Sequence, residues 1–148
     1  MTAPGDAPQD APEDAREGSR ERARVPAPAV FVIFGVTGDL ARRKILPALF
    51  ALHARGLVRG CRVLGTSRDP ALDDAAMRRL AVEAVREHGD GDVARGDGVE
   101  AWAADHVYGV GATTDDLAPL AERLEAIERA HDLPRRRVFY LSLPPGAF

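Results

Sequence analysis

Apolar and polar positions change rhythm several times along the chain. Residues 1–28 carry five of the eleven prolines and six acids with almost no large apolar side chain. Such a stretch cannot bury enough surface to offset its ordering entropy, so a disordered tail is expected there and one domain over 29–148. From Ala29 the texture turns to Ala-Val-Phe-Val-Ile-Phe, a run without alternation that predicts a strand buried on both faces and ending at Gly35. Beyond Asp39, apolar residues fall at Ala41, Ile45, Leu49 and Leu52, which predicts a helix with Gly56 as its left-handed cap and a bend at Pro47.

A second strand is predicted at Cys61 to Thr66, and a helix through Met77, Leu80, Ala81, Ala84 and Val85 as far as His88. The Gly- and Asp-rich stretch from Gly89 to Glu100 reads as a loop. A third strand follows near Val107 to Val110. Leu117, Leu120, Leu124 and Ile127 then share one helical face, and "RVFYL" supplies a fourth strand before Pro144 and Pro145. Strand and helix alternating in this way imply an α/β fold, a Rossmann-like doubly wound and mainly parallel sheet.

A net charge of −3 gives no global attraction to phosphate backbones or anionic lipid, so nucleic acid and membrane are not expected partners. Without an apolar run long enough to span a bilayer or to serve as a secretory signal, a cytoplasmic setting is expected. Cys61 has no second cysteine to pair with and reads as a small buried hydrophobe. The four histidines show no metal-ligand spacing, and an EF-hand loop laid from Asp90 fails at Ala94 and Arg95, so no metal site is expected.

The chemistry concentrates in "VIFGVTGDLARRKILPAL", Val32 to Leu49. In parallel sheets ligands sit beyond the carboxyl ends of the strands, and the first strand-to-helix turn lets phosphate approach bare backbone. Gly35 would give the tight exit, Gly38 would clear a side chain from the diphosphate, and Ala41 would allow close helix packing. The N–H groups from Gly38 or Asp39 onward would face the anion. The spacing Gly35-x-x-Gly38-x-x-Ala41 differs from G-x-G-x-x-G, and a tight turn capped by Asp39 is the plain alternative. No Walker loop can be laid over Lys44. At the end of the second strand Arg68 suits the extra phosphate of NADP, with Thr37 adding a hydroxyl, while Asp69 beside it keeps NAD open.

"GVTGDLARRKILPAL" resembles the G-[AGS]-[ST]-G-D-L-A-x-[KR]-K-x-x-P-[AST]-[LI] signature of the glucose-6-phosphate dehydrogenase family, and "VLGTSRD" and "VFYLSLPPGAF" are similar to two further segments of that family. The resemblance covers nearly everything from 29 to 148. It implies the NADP-binding part of an enzyme that oxidises glucose 6-phosphate at C1 to 6-phosphogluconolactone, in the pentose phosphate pathway of glucose metabolism. It further implies cofactor contacts from Gly35, Val36, Thr37, Gly38, Asp39, Leu40, Ala41, Lys44 and Arg68. Lys44 would also lie close to the sugar, and Pro144, Pro145 and Phe148 would border the nicotinamide.

The R-x-D-H-Y-x-G-K motif that carries the family's catalytic histidine does not occur in these 148 residues, so no catalytic residue is expected within them and the chain alone is expected to be inactive. "DHVYG", Asp105 to Gly109, lacks that motif's flanking Arg and Lys and is rejected as a base. A sheet incomplete at its C-terminal end should expose an edge and apolar surface. The resemblance also implies an oligomer, formed through portions of the family's proteins beyond this stretch. Two other readings are a noncatalytic NADP-binding or docking module and another NAD(P)-dependent reductase. A Y-x-x-x-K pair for the latter is missing at both Tyr108 and Tyr140.

Overall fold

The strands β1 (Val30–Phe34), β2 (Arg62–Ser67), β3 (Val107–Gly111) and β4 (Arg137–Leu141) form one sheet in the order β3-β2-β1-β4, with every neighbouring pair parallel. This is a computed structural model, and it describes residues 27–142. The expected tail, up to residue 26, and Pro144, Pro145 and Phe148 lie outside the described residues. Because the chain steps from β1 to β2 to β3 and then returns beside β1, the carboxyl ends of β1 and β4 meet at a topological switch point, the place where such sheets open a crevice.

Helices cover both faces. On one side lie α1 (Leu46–Ala54), α2 (Asp74–His88) and α3 (Gly98–His106), burying Phe31, Ile33, Val63 and Val107 of the sheet with Leu46, Met77, Val85 and Trp102. On the other, α4 (Ala118–Ala130) brings Leu120, Leu124 and Ile127 onto Val30, Val32, Leu64 and Tyr108. The strand read as buried on both faces is β1, and Cys61 is buried as expected.

The predicted bend at Pro47 takes a specific form. The helix starts at Asp39 and runs through a π-helical turn, Ala41–Ile45, in which Leu46 N–H reaches back to the Ala41 carbonyl. A proline ring has no N–H and collides with the carbonyl four residues back, and the wider turn just before Pro47 relieves both problems without ending the helix. At its far end Gly56 (φ 73°) donates to the His53 carbonyl and Leu57 to the Leu52 carbonyl, the paired bonds of a left-handed glycine cap.

One expectation needs correction. The stretch Gly89 to Glu100 is not loop throughout: it contains a 3-10 turn, Asp92–Arg95, and the first residues of α3. Val99, Trp102, Ala103 and His106 have helical spacing, and burial of Val99, Trp102 and Ala103 outweighs the weak helix propensity of the glycines and aspartates around them.

The two sheet edges differ. On β3 the outward Gly109 N–H donates to Asp74 Oδ1 (2.9 Å), and the Val107 carbonyl accepts from Arg78 Nε (2.8 Å). Side chains one turn apart on α2 thus occupy the groups through which another strand would pair. β4, the other edge, leaves Val138, Phe139 and Leu141 exposed.

Candidate functional site

The end of β1 is where the backbone breaks direction. Gly35 takes φ 71°, a left-handed conformation that costs other residues about 1–2 kcal/mol. The N–H groups of Gly35 and Val36 both donate to the Thr66 carbonyl of β2, at 3.1 and 3.2 Å, which fixes the turn against the neighbouring strand. Gly38 N–H then closes the turn onto the Gly35 carbonyl (3.0 Å), and the Gly38 carbonyl accepts the Arg42 N–H (3.1 Å) to begin the helix.

The N–H groups of Asp39, Leu40 and Ala41 therefore occupy the first helical turn, where no intrahelical acceptor exists and the helix end carries partial positive charge. A Cβ at Gly38 would stand 3.3 Å from the Gly35 carbonyl oxygen, tighter than ordinary contact. Ala41 is fully buried, and so is Val36, whose side chain packs in the core and whose N–H is already donated to Thr66.

This turn forms one wall of a cleft of about 420 Å³. Phe34, Gly35, Thr37 and Gly38 come from the first turn, and Thr66, Ser67 and Arg68 from the end of β2. Ala112, Thr113, Thr114 and Leu117 follow β3, and Ser142 follows β4. Of the residues singled out in the sequence, Gly35, Thr37, Gly38 and Arg68 line it together, with Arg68 exposed at the rim. Asp39 and Leu40 stand exposed on the helix that leaves it. Lys44 is exposed on the π-turn and does not line the cleft. Asp69 turns to local work: its carboxylate accepts the Ala71 N–H at 2.9 Å.

The hydroxyls of Thr66, Ser67, Thr113, Thr114 and Ser142 were not singled out by sequence reasoning. The rule that ligands gather beyond strand carboxyl ends would have pointed to Thr113 and Thr114, which directly follow β3. Leu117, grouped by its spacing with the core face of α4, is 45% exposed and belongs to the cleft, because it stands at the helix's N-terminal boundary. Two polar atoms at the site, Thr66 Oγ1 and Ser142 Oγ, are buried with no hydrogen-bond partner among the described residues.

"DHVYG" spans the end of α3 and the start of β3, so His106 lies at the amino end of the sheet, opposite the cleft. Among the described residues no group of three His, Cys, Asp or Glu could hold a metal ion, and no helix is long and apolar enough to cross a membrane.

The family profile described as "Glucose-6-phosphate dehydrogenase, NAD binding domain" matches residues 32–148. The chain is 35% identical over 129 residues to glucose-6-phosphate 1-dehydrogenase 2 of Mycobacterium tuberculosis, covering 84% of this chain and 24% of that protein. It is 34% identical over 118 residues to the Leuconostoc mesenteroides glucose-6-phosphate 1-dehydrogenase, covering 78% and 23%. A solved glucose-6-phosphate dehydrogenase in complex with its substrate glucose 6-phosphate superposes with a TM-score of 0.69 at 25% identity, covering 84% of this chain and 26% of the other. The chain thus spans about a quarter of the length of the curated relatives it matches. With the parallel sheet, the glycine turn at its switch point and a family match running through both, this chain belongs to the glucose-6-phosphate dehydrogenase family and carries its NAD-binding domain.

Proposed function

We propose that this chain is the NADP-binding part of a glucose-6-phosphate 1-dehydrogenase. The observation that carries the reading is the glycine turn between Gly35 and Gly38, which sets the open first turn of a helix beside a cleft whose rim holds Arg68. Backbone N–H groups of Asp39 to Ala41 hold the diphosphate, and the helix end favours its charge. Arg68 grips the adenosine 2′-phosphate with two charge-assisted hydrogen bonds, and the Thr37 hydroxyl adds a donor. The Asp69 carboxylate already accepts the Ala71 N–H, which supports Arg68 rather than Asp69 as the group that reads the ribose.

A bound nicotinamide carrier would supply the hydride acceptor for oxidation at C1 of the sugar, and this chain's Gly35–Ala41 turn and Arg68 would hold and orient its adenosine end. Proton removal requires a base such as the histidine of the R-x-D-H-Y-x-G-K motif, which this sequence lacks, so the chain by itself binds cofactor and does not turn over.

Equilibrium titration of the purified chain with NADP, NAD and adenosine 2′,5′-bisphosphate tests the reading. NADP should bind at least tenfold tighter than NAD, roughly the value of one charge-assisted bidentate contact, and Arg68→Ala should remove that preference. Equal affinity for the two dinucleotides, or an unchanged preference in Arg68→Ala, would take Arg68 out of the site.

A further inference from the structure

Thr66 sits one position before the end of β2 and is 2% exposed, yet it reaches the cleft. Its carbonyl oxygen serves two N–H donors of the glycine turn, whereas its hydroxyl has no partner among the described residues. The reason is the company the side chain keeps. Its register partners are Phe34 on β1 and Val110 on β3, and neighbours in register share a face of the sheet. Both are apolar and offer the hydroxyl nothing.

A buried hydroxyl without a partner costs stability, and valine would fill the same space without that cost. The side that can supply a partner is the cleft. A χ1 rotation of about 120° carries a threonine's hydroxyl into the place of its methyl and the methyl into the place of the Cβ hydrogen, so the Oγ1 can turn toward a ligand without backbone movement.

What that ligand group is follows from position. Arg68 lies two residues on, in the bend that follows β2, and lines the same cleft. The Thr66 carbonyl accepts the Gly35 and Val36 N–H groups of the turn, whose Gly35, Thr37 and Gly38 line the cleft just before the helix begins. We propose that Thr66 is a binding residue of this cleft, its hydroxyl donating to the phosphate on the 5′ carbon of an adenosine nucleotide whose 2′ side is held at Arg68. This rests on the dinucleotide reading above and adds to it a side-chain contact to the phosphate beneath the glycine turn.

The test compares the 148-residue chain with its Thr66→Val and Thr66→Ser variants, using adenosine 2′,5′-bisphosphate and adenosine 2′-monophosphate, which lacks the 5′-phosphate. Thr66→Val should weaken the bisphosphate about tenfold and leave the monophosphate within about twofold, while Thr66→Ser, which keeps the hydroxyl, should bind both as the parent does. The ligand-free Tm of Thr66→Val should be equal to or above that of the parent. Bisphosphate binding unchanged in Thr66→Val, an equal loss for both nucleotides, or a lowered ligand-free Tm would each overturn the proposal while the dinucleotide site stands. A parent chain with no affinity for the bisphosphate or for NADP would overturn both.

Discussion

Arg137 of β4 and Glu128 of α4 form a forked ion pair, with Arg137 Nε donating to Glu128 Oε2 at 2.8 Å and a terminal nitrogen donating to Oε1 at 2.7 Å. The carboxylate side chain is only 6% exposed and the guanidinium side chain 25%. This asymmetry decides what each deletion does. Arg137→Met leaves a buried carboxylate without its hydrogen-bonded counter-charge, a change that typically costs about 3–5 kcal/mol; the lower end is expected because the Arg135 charge stays nearby and the space beside Arg137 opens partly to water. Glu128→Gln leaves a cation that can reach solvent, so about 1–2 kcal/mol is expected from the weakened charged hydrogen bonds. Replacing both with Met should recover to within about 1 kcal/mol of the parent, since a buried pair barely outweighs its own desolvation.

Urea denaturation monitored through Trp102, the single tryptophan, is a suitable assay because that side chain is buried against Phe50 and reports core opening directly. Hydrogen bonding from Arg137 holds the Glu128 carboxyl below its ordinary range, and the nearby positive charges add to this against the opposing effect of burial. A depressed carboxyl contributes stability that is complete above its unfolded value of about 4.3 and is lost as pH falls through the lower folded value. The gap between parent and Arg137→Met should therefore be full at pH 7 and narrow toward pH 3. A loss below 1 kcal/mol in Arg137→Met at neutral pH, or a larger loss in Glu128→Gln, would refute the argument that the buried carboxylate dominates.

Other expectations concern packing and protons. A Cβ at Gly109 would lie 2.6 Å from Met77 Cβ and 2.7 Å from the Asp73 carbonyl oxygen, whereas one at Gly65 meets the yielding end of Met77 at 2.5 Å and Val36 Cγ2 at 2.9 Å. Gly109→Ala should thus cost about 3 kcal/mol and Gly65→Ala about 1–2 in the same urea assay; the reverse order would mean that α2 does not seat on β3 as described. His53, His106 and His131 are all pushed below the ordinary histidine value, chiefly by burial, with the Arg62 charge adding to the effect at His106 and His131. His131 is locked neutral in a further way. Arg62 can only donate to its Nδ1 (3.2 Å), which leaves Nε2–H to donate to the Tyr108 hydroxyl (2.7 Å). Groups held neutral in this way contribute stability above about pH 6.5 that is lost as pH falls from there through their lower folded values. Stability should decline between pH 7 and 5.5, less steeply in His106→Leu; a flat parent profile would contradict the neutral assignments.

Much of this protein was legible along the chain because its signals are local. The unbroken apolar run of β1, the Gly35-x-x-Gly38 break, the helical spacing after Asp39 and the cap at Gly56 each depend on residues a few positions apart, so steric and hydrogen-bond rules act on them before any tertiary contact forms. The alternation of strands and helices then sufficed for a parallel, doubly wound sheet. The family-specific residues of the first turn were legible for the same reason, since they are contiguous.

The three-dimensional arrangement decided what lies far apart in sequence. Thr66, Thr113, Thr114 and Ser142 belong to one cleft only because three different strands end at the same edge, and Leu117 could not be told from a core leucine until the start of α4 was positioned. The helix α3 came into being where burial of Trp102 and Val99 overrode a glycine- and aspartate-rich sequence. Likewise, the need for glycine at 109 and the cost of an unpaired Glu128 arise from close approaches between α2 and β3 and between α4 and β4. Local sequence sets the preferences of each segment; which groups meet, and which are left without a partner, depends on how the segments pack.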